Sequence, residues 1–194
     1  ATGEIFFIGS NNVGQNGPTY LAAAGCGALD PTDVAVLGFP DMHIILDLDL
    51  AGQIGTNYCA ANANSTGATG VMSALGSTAV ASNDLTLTAD SLPNNSFGFF
   101  LTSMQMGFVQ NPGGSAGNLC LAGALGRYVG PGQIQNTGNS GAISLSLDLT
   151  MTPTPTGLVA VQPGETWFFS AWHRDAVMGT ATSNFADGLE VTFN

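Results

Sequence analysis

The stretch that most constrains the fold is T-W-F-F-S-A-W-H-R-D, residues 166–175. Its β-branched and aromatic residues are typical of a strand. Successive side chains of a strand alternate between two faces, which puts Phe168 and Trp172 on one face and Trp167 and Phe169 on the other. A strand that is apolar on both faces lies inside a structure. We therefore expect this stretch to be the central strand of an all-β, jelly-roll-like antiparallel sandwich.

The composition supports a folded extracellular chain and excludes several partners. An apolar share of 44% is enough to build a core, whereas only 8% of the 194 residues are charged, against about 25% in ordinary globular domains. Lysine is absent and only Arg127 and Arg174 are basic, so the formal net charge is −11. Such a chain lacks the basic clusters that bind nucleic acid or anionic lipid, and no apolar run is long enough for a membrane span. No signal peptide is visible, so Ala1 is interpreted as a processed N-terminus or an artificial boundary.

The three cysteines, Cys26, Cys59 and Cys120, are explained by a secreted fold with one disulfide. None of them lies in a C-x-x-C pair, so zinc and redox motifs are not expected. We favour a bond between Cys59 and Cys120 because both lie in the more regular part of the chain. Cys26 is then either buried or paired with another chain, and the residue pattern leaves both states open.

Two parts follow one another along the chain: an N-terminal extension, residues 1–54, and a β-sandwich domain, residues 55–194. We place the boundary near Gly55 and expect both parts to form one compact unit. In the second part, short apolar runs alternate with turns rich in Gly, Pro and Asn. Eight or more such strands at this spacing indicate a sandwich or jelly roll. The predicted strands cover residues 71–80, 84–89, 97–106, 118–121, 142–149, 158–161, 166–172 and 189–193.

The N-terminal extension contains one helix signal and one clear strand signal. Asp30 as a cap, Pro31 at the first helical position and Gly38 as a terminator predict a short helix over residues 31–37. The alternation in H-I-I-L-D-L-D-L predicts a strand over residues 43–50.

Several motifs of the second part occur together in one known family. They are G-T-N-Y-C at residues 55–59, N-P-G-G-S-A-G-N-L-C-L at 111–121, G-R-Y-V-G-P-G-Q-I-Q-N at 126–136, A-V-Q-P-G-E-T-W at 160–167 and A-W-H-R-D at 171–175. In these motifs the chain resembles the C-terminal β domain of large secreted proteins of planctomycetes and related environmental bacteria. The resemblance implies an extracellular β domain whose shared pattern includes Cys59 and Cys120. It implies no activity.

One serine lies in a sequence that matches a hydrolase motif. Ser115, in G-G-S-A-G, fits G-x-S-x-G, which works where a strand feeds a sharp turn into a helix. Here Pro112 precedes the motif and the strand-like N-L-C-L follows it. We interpret the motif as a glycine-rich turn.

His173 and Asp175 share one face of the central strand but lack the remaining partners of a catalytic triad. We interpret Arg174 and Asp175 as a structural ion pair at the end of that strand, with Trp167 and Trp172 in the core. We therefore predict no catalytic centre and no cofactor.

Asp41, His43, Asp47 and Asp49 alternate onto one face of the same extended segment. The oxygen atoms of Asp41, Asp47 and Asp49 make these residues weak candidates for calcium, which prefers six to eight oxygen ligands from several loops. One strand cannot supply that number, so we interpret this face as solvated and predict no metal site.

Aromatic side chains suggest a second class of function, a carbohydrate-binding or adhesive module. Lectin-like modules stack rings on sugars and read hydroxyl groups with Asn, Asp and Gln. Because both tryptophans lie in the strand expected to be buried, core packing is favoured over a glycan site. The rings available are Tyr20, Tyr58, Tyr128, Trp167 and Trp172.

The function that we prefer is predicted from the N-terminal strand E-I-F-F-I. Glu4, Ile5, Phe6, Phe7 and Ile8 can form an edge strand in their own chain or complete the sheet of a neighbour by donor-strand exchange. Head-to-tail exchange leads to open filaments. With a nearly uncharged surface, this strand predicts a self-associating subunit of an extracellular bacterial filament or surface layer at the cell surface. The absence of lysine excludes Lys–Asn isopeptide bonds.

Overall fold

A computed structural model of the chain describes residues 10–11, 20–23, 28–33, 35–38, 43–44 and 53–194. The chain divides into two compact units, residues 1–50 and 51–194, which we describe separately. The sequence-based boundary near Gly55 lies just inside the second unit. That the two parts form one compact body stays a prediction.

The first unit contains short antiparallel strand pairs. Strand β1 pairs with β4, and β2 pairs with β3. The segment E-I-F-F-I, residues 45–50 of the predicted strand and the calcium candidates Asp41, Asp47 and Asp49 lie outside the described residues. The strand bounds are Ser10–Asn11 (β1), Tyr20–Ala23 (β2), Ala28–Asp33 (β3) and His43–Ile44 (β4).

The helix predicted over residues 31–37 is wrong. Pro31 and Thr32 belong to β3, where Thr32 pairs with Leu21 of β2. The capping side chain is that of Asp33, whose Oδ1 accepts the N–H of Ala35 at 3.1 Å. Residues 35–38 then form a single turn. A strong capping residue and a proline are equally suited to a strand that ends in an Asx turn.

The second unit consists of strands and turns, with 3-10 turns at Val80–Ser82 and Pro112–Gly114. Across the part of the chain that the structure describes, no helix is long and apolar enough to cross a membrane. The strands are Thr56–Cys59 (β5), Val71–Gly76 (β6), Leu85–Asp90 (β7), Phe97–Ser103 (β8), Gln105–Gln110 (β9), Asn118–Ala122 (β10), Gly126–Arg127 (β11), Gln135–Asn136 (β12), Ile143–Leu147 (β13), Thr152–Thr154 (β14), Gly157–Val159 (β15), Thr166–Val177 (β16), Thr180–Phe185 (β17) and Gly188–Thr192 (β18).

These strands build an antiparallel β-sandwich, which confirms the predicted fold class. One sheet has seven strands in the order β11-β8-β16-β18-β5, with β12 also pairing with β8 and β17 with β16. The facing sheet has three strands in the order β13-β7-β6. The hairpin β9–β10 and the hairpin β14–β15 form separate two-stranded sheets.

The main core lies between the seven-stranded and the three-stranded sheets. Alternating residues of β6, β7 and β13 meet alternating residues of β8, β16 and β18 there, as expected for the inner faces of a sandwich. The largest of these fully buried side chains are Met72, Leu85, Leu87, Phe100, Trp167, Phe169 and Leu189.

Strand β16 is the central strand, apolar on both faces, that the sequence predicts. Trp167 and Phe169 pack in the main core, whereas Phe168 is buried in a second cluster on the opposite face, where Trp172 packs against it. The strand is longer than expected because β17 pairs with its C-terminal half, from Trp172↔Phe185 to Val177↔Thr180.

The second cluster is covered by the hairpin β9–β10. Leu121 of β10 is buried against Leu101, Phe168 and Phe185 of the seven-stranded sheet. A disulfide between Cys59 and Cys120 links β5 to β10, as predicted, so the hairpin is tied covalently to the sheet that it covers. Such a bond is compatible with an extracellular protein.

Candidate functional site

The outer edge of β6, the last strand of the three-stranded sheet, is closed by hydrogen bonds. The N–H of Ile54 donates to Ala74 O at 2.9 Å. The amide of Asn57 donates to Met72 O at 2.8 Å, and the Asp187 carboxylate accepts the Met72 N–H at 2.6 Å. An unpaired strand edge is a template for adding another strand. These contacts block that template at β6.

Other edges are closed in a similar way. On β13, the Gln135 amide donates to Ser144 O at 2.6 Å and accepts the Ser144 N–H at 3.2 Å. On the outer side of β10, the hydroxyl of Tyr58 donates to Cys120 O. Side chains thus take up backbone groups that would otherwise pair with a further strand.

Strand β9, with the sequence Q-M-G-F-V-Q, is different. It pairs with β10 on one side. At residues 106–110, none of the described residues outside β10 hydrogen-bonds its backbone. Met106, Phe108 and Val109 are 53, 61 and 45% exposed. An edge strand that is uncharged, apolar and exposed is a site of strand addition or aggregation unless another element covers it.

A bend at Met104 explains why β9 leaves the sheet. The sequence predicts one strand over residues 97–106, but β8 ends at Ser103. The Ser103 hydroxyl accepts the N–H of Gln105 at 3.1 Å and donates to Ala122 O at 2.6 Å. These bonds turn the chain, so the following residues pair with β10 and lie over the second face of the sheet.

The same face carries a cavity of about 480 Å³, which we call the aromatic groove. Pro112, in the turn of the hairpin, closes one part of it, and Arg127 and Val129 lie at β11 and just beyond. The groove is large enough for a small ligand or for several side chains of a peptide. Its remaining lining residues are Phe99, Leu101, Leu119, Leu125, Trp172 and Phe185.

Two rings form one wall of the aromatic groove. Phe99 of β8 pairs with Trp172 of β16, and their rings stack with centroids 5.1 Å apart at an interplanar angle of 29°. Arg127 is the one charged side chain that lines the groove, and it is exposed. The groove therefore presents apolar and aromatic surface beside a single cation.

Of the aromatic residues considered for sugar binding, those whose side chains the structure describes are buried or partly buried. Trp167 and Tyr128 are each only 2% exposed, and the indole Nε1 of Trp167 donates to Glu165 Oε2 at 2.9 Å. Tyr58 packs edge-on against Phe168, with ring centroids 5.5 Å apart, and burial is the main cause that raises its pKa. Of these rings, that of Trp172 lines the groove.

Ser115 has a structural role in the glycine-rich turn. Its hydroxyl donates to Ser183 O at 2.7 Å and accepts the Gly117 N–H at 3.1 Å. Strand β10 follows at Asn118, so the strand–turn–helix geometry of a nucleophile elbow is not present here. Its bonds join the turn to β17.

The predicted ion pair between Arg174 and Asp175 is wrong. Neighbouring residues of a strand point to opposite faces: Arg174 is exposed, whereas Asp175 is buried. The Asp175 carboxylate accepts the Ser65 N–H at 3.0 Å and the Asn184 amide at 3.1 Å instead. Burial raises the pKa of Asp175, but these hydrogen bonds outweigh it, and the net effect lowers the pKa.

His173 is fully buried at the end of the main core. Its Nδ1 lies 3.2 Å from Arg174 O, which a neutral ring with the proton on Nδ1 satisfies, and Nε2 has no partner among the described residues. Burial lowers the pKa of His173, and the hydrogen bond with Arg174 O and the nearby Asp175 carboxylate only partly oppose this. His173 and Asp175 are not hydrogen-bonded to each other: His173 Nδ1 contacts Arg174 O, and Asp175 accepts from Ser65 and Asn184.

The buried His173 predicts a loss of stability in mild acid. The folded protein holds the ring neutral, while the unfolded chain takes up a proton as the pH falls through about 6.5. Stability is therefore lost as the pH falls, by at most about 1.4 kcal/mol per pH unit for one proton. Urea unfolding of the wild type and of His173→Met between pH 7.5 and 5.5 measures this. We expect the steeper fall in the wild type, and equal slopes would contradict the assignment.

Comparisons with known proteins do not identify the chain: no family model matches it, and no curated protein or solved structure is significantly similar. The resemblance to secreted planctomycete domains stays a prediction.

The residues that the sequence analysis missed are those of β9. Met106, Phe108 and Val109 lie in the segment Q-M-G-F-V-Q, between the bend at Ser103 and a Pro-Gly-Gly turn. A strand with apolar residues on both faces is either buried or an uncovered edge. The sequence did not distinguish these two states for β9, because the burial of β9 depends on how the hairpin β9–β10 folds onto the sheet.

Proposed function

We propose that the protein is a structural subunit of an extracellular filament or surface layer that assembles by β-strand addition. The observation that carries the proposal is the open edge of β9. Its backbone between Met106 and Gln110 is free on one side of the described structure, and its side chains are apolar and exposed. Main-chain hydrogen bonds provide affinity in this mode, and pockets for alternate side chains provide specificity.

The donor in this proposal is the E-I-F-F-I segment of another copy. Its four consecutive apolar residues have the high β-propensity that an added strand requires. A donor on one surface and an acceptor on another form a heterologous interface, which continues from copy to copy into an open polymer. Secretion and a place at the cell surface are part of this proposal, and the disulfide supports them.

Strand addition has stronger support than carbohydrate binding. Trp172 and Phe99 offer a ring platform, but a sugar also needs several polar groups to read its hydroxyls. The side chains lining the groove are apolar except for Arg127. Such a surface suits apolar side chains better than a glycan.

A peptide competition experiment tests the proposal on the full-length protein. Filaments are dissociated, and reassembly is followed by light scattering with an excess of a synthetic peptide of residues 1–12. We expect the peptide to occupy the acceptor and suppress growth, because it competes for the same edge. The control peptide carries Phe6→Asp and Phe7→Asp and should have little effect. Unchanged assembly in the presence of the unmodified peptide would contradict strand addition.

A further inference from the structure

Arg127 indicates where on the acceptor the proposed donor segment would bind. Leu125, Arg127 and Val129 follow one another at alternate positions, and all three line the aromatic groove. Arg127 forms no ion pair with any described residue. Asp148 lines a neighbouring cavity together with Arg127, but its carboxylate accepts hydrogen bonds from Thr150 and Asn83. The groove thus has an unused cation at its rim.

The donor segment has the complementary pattern. Glu4 is its one charged residue and is followed by four apolar residues. In an added strand, Glu4, Phe6 and Ile8 face the same side, over about 13 Å. One carboxylate followed by an aromatic and an aliphatic side chain matches a surface with one guanidinium beside stacked rings.

We propose that Arg127 binds Glu4 of a second copy and that the aromatic groove receives Phe6 and Ile8 of the same segment. This inference rests on the proposed strand addition and adds which face of the donor is buried and in what register. Phe7 belongs to the opposite face of the donor, with Ile5.

The other arginine does not offer such a site. Arg174 lines an open cleft together with polar residues that include Ser65, Asn95 and Ser96. An apolar segment would leave those groups without water or hydrogen bonds. The chain has only two basic residues and a net charge of −11, so copies repel one another. Apolar contacts alone would allow the donor segment several registers, and a single Glu–Arg pair at the groove selects one of them.

A charge-swap experiment on the full-length chain tests the pair. Glu4→Arg and Arg127→Glu each place like charges together, so we expect each to raise the critical concentration for assembly by about tenfold or more. The double variant should return it to within about threefold of the wild type, because the pair is restored in reverse. Singles that assemble normally, or a double variant that is not rescued, would overturn the inference.

Two controls separate this pair from other causes. Arg174→Glu changes the net charge as Arg127→Glu does, so an equal effect of both would assign the result to overall charge and overturn the pair. Phe6→Ser should weaken assembly far more than Phe7→Ser, and the reverse order would overturn the proposed face. Phe108→Lys on β9 is measured in parallel. If it abolishes assembly while the charge swaps have no effect, strand addition stands and only the placement in the groove fails.

Discussion

Replacing Cys59 and Cys120 together by alanine is expected to lower the free energy of unfolding by about 4 kcal/mol, since the bond closes a span of 61 residues and restricts the unfolded chain accordingly. The bond also holds the hairpin β9–β10 to the strand β5 at the far side of the large sheet. We therefore expect the hairpin to open before the rest of the sandwich in the variant. Urea unfolding under oxidising conditions measures the loss.

Reduction provides the matched control for this prediction. A reductant added during unfolding should destabilise the wild type by a similar amount and leave the double variant unchanged, because the variant has no bond between these positions to lose. A difference below about 1 kcal/mol between oxidised wild type and variant would contradict the role assigned to the disulfide, since removal of a native disulfide from a small domain usually costs 2–5 kcal/mol.

Phe108→Lys is expected to abolish assembly with little effect on the fold. Phe108 is 61% exposed, so the free energy of unfolding should change by no more than about 0.5 kcal/mol. Pairing β9 with an added strand would desolvate the ammonium group, and lysine on an edge strand is the common natural device against such pairing. We expect the polymer fraction in sedimentation to fall by at least about tenfold.

Leu75→Lys is the matched control for this variant. Leu75 lies on β6, is 53% exposed and belongs to an edge that Ile54, Asn57 and Asp187 already close. It adds the same charge, and in both variants the added lysine reduces the net negative charge and hence the repulsion between copies. Assembly lost only in Phe108→Lys would therefore reflect the edge of β9. Equal behaviour of the two variants would contradict β9 as the acceptor.

The parts of the fold that sequence predicted best are those in which one strand has a clear pattern on both faces. For β16, Trp167 and Phe169 are assigned to one side and Phe168 to the other by alternation alone, and both sides prove to be buried. The strand predicted over residues 142–149 is present as β13, with Ile143 and Leu147 buried in the core. The bond between Cys59 and Cys120 is also confirmed.

The parts that sequence did not predict depend on unusual turns and on long-range pairing. Strand β17 follows a two-residue turn of Met178 and Gly179, both with positive φ. Asn-Gly or Asp-Gly is the common signal for such a hairpin, so a methionine at its first position hides it. The hairpin with β17 extends β16 through Arg174 and Asp175. Because neighbouring residues of a strand point to opposite faces, these two side chains do not pair.

The candidate site was even harder to predict from the sequence than these parts of the fold. Within the described residues, the edge of β9 is open because Ser103 turns the chain out of the large sheet, and the groove combines Leu119 of β10 with Phe99 and Trp172 of the sheet. Both features depend on contacts between residues that are far apart in the sequence. What the sequence did indicate is the donor that we propose, an apolar segment over residues 4–8 with a single acidic residue.

Negative-stain electron microscopy of the full-length wild-type protein, with the disulfide intact, tests the central claim most directly. Strand addition from copy to copy predicts filaments of uniform width, or an ordered layer built from them, and their loss in Phe108→Lys but not in Leu75→Lys. Dispersed particles of monomer size at every protein concentration, or filaments that persist unchanged in Phe108→Lys, would contradict assembly through the edge of β9.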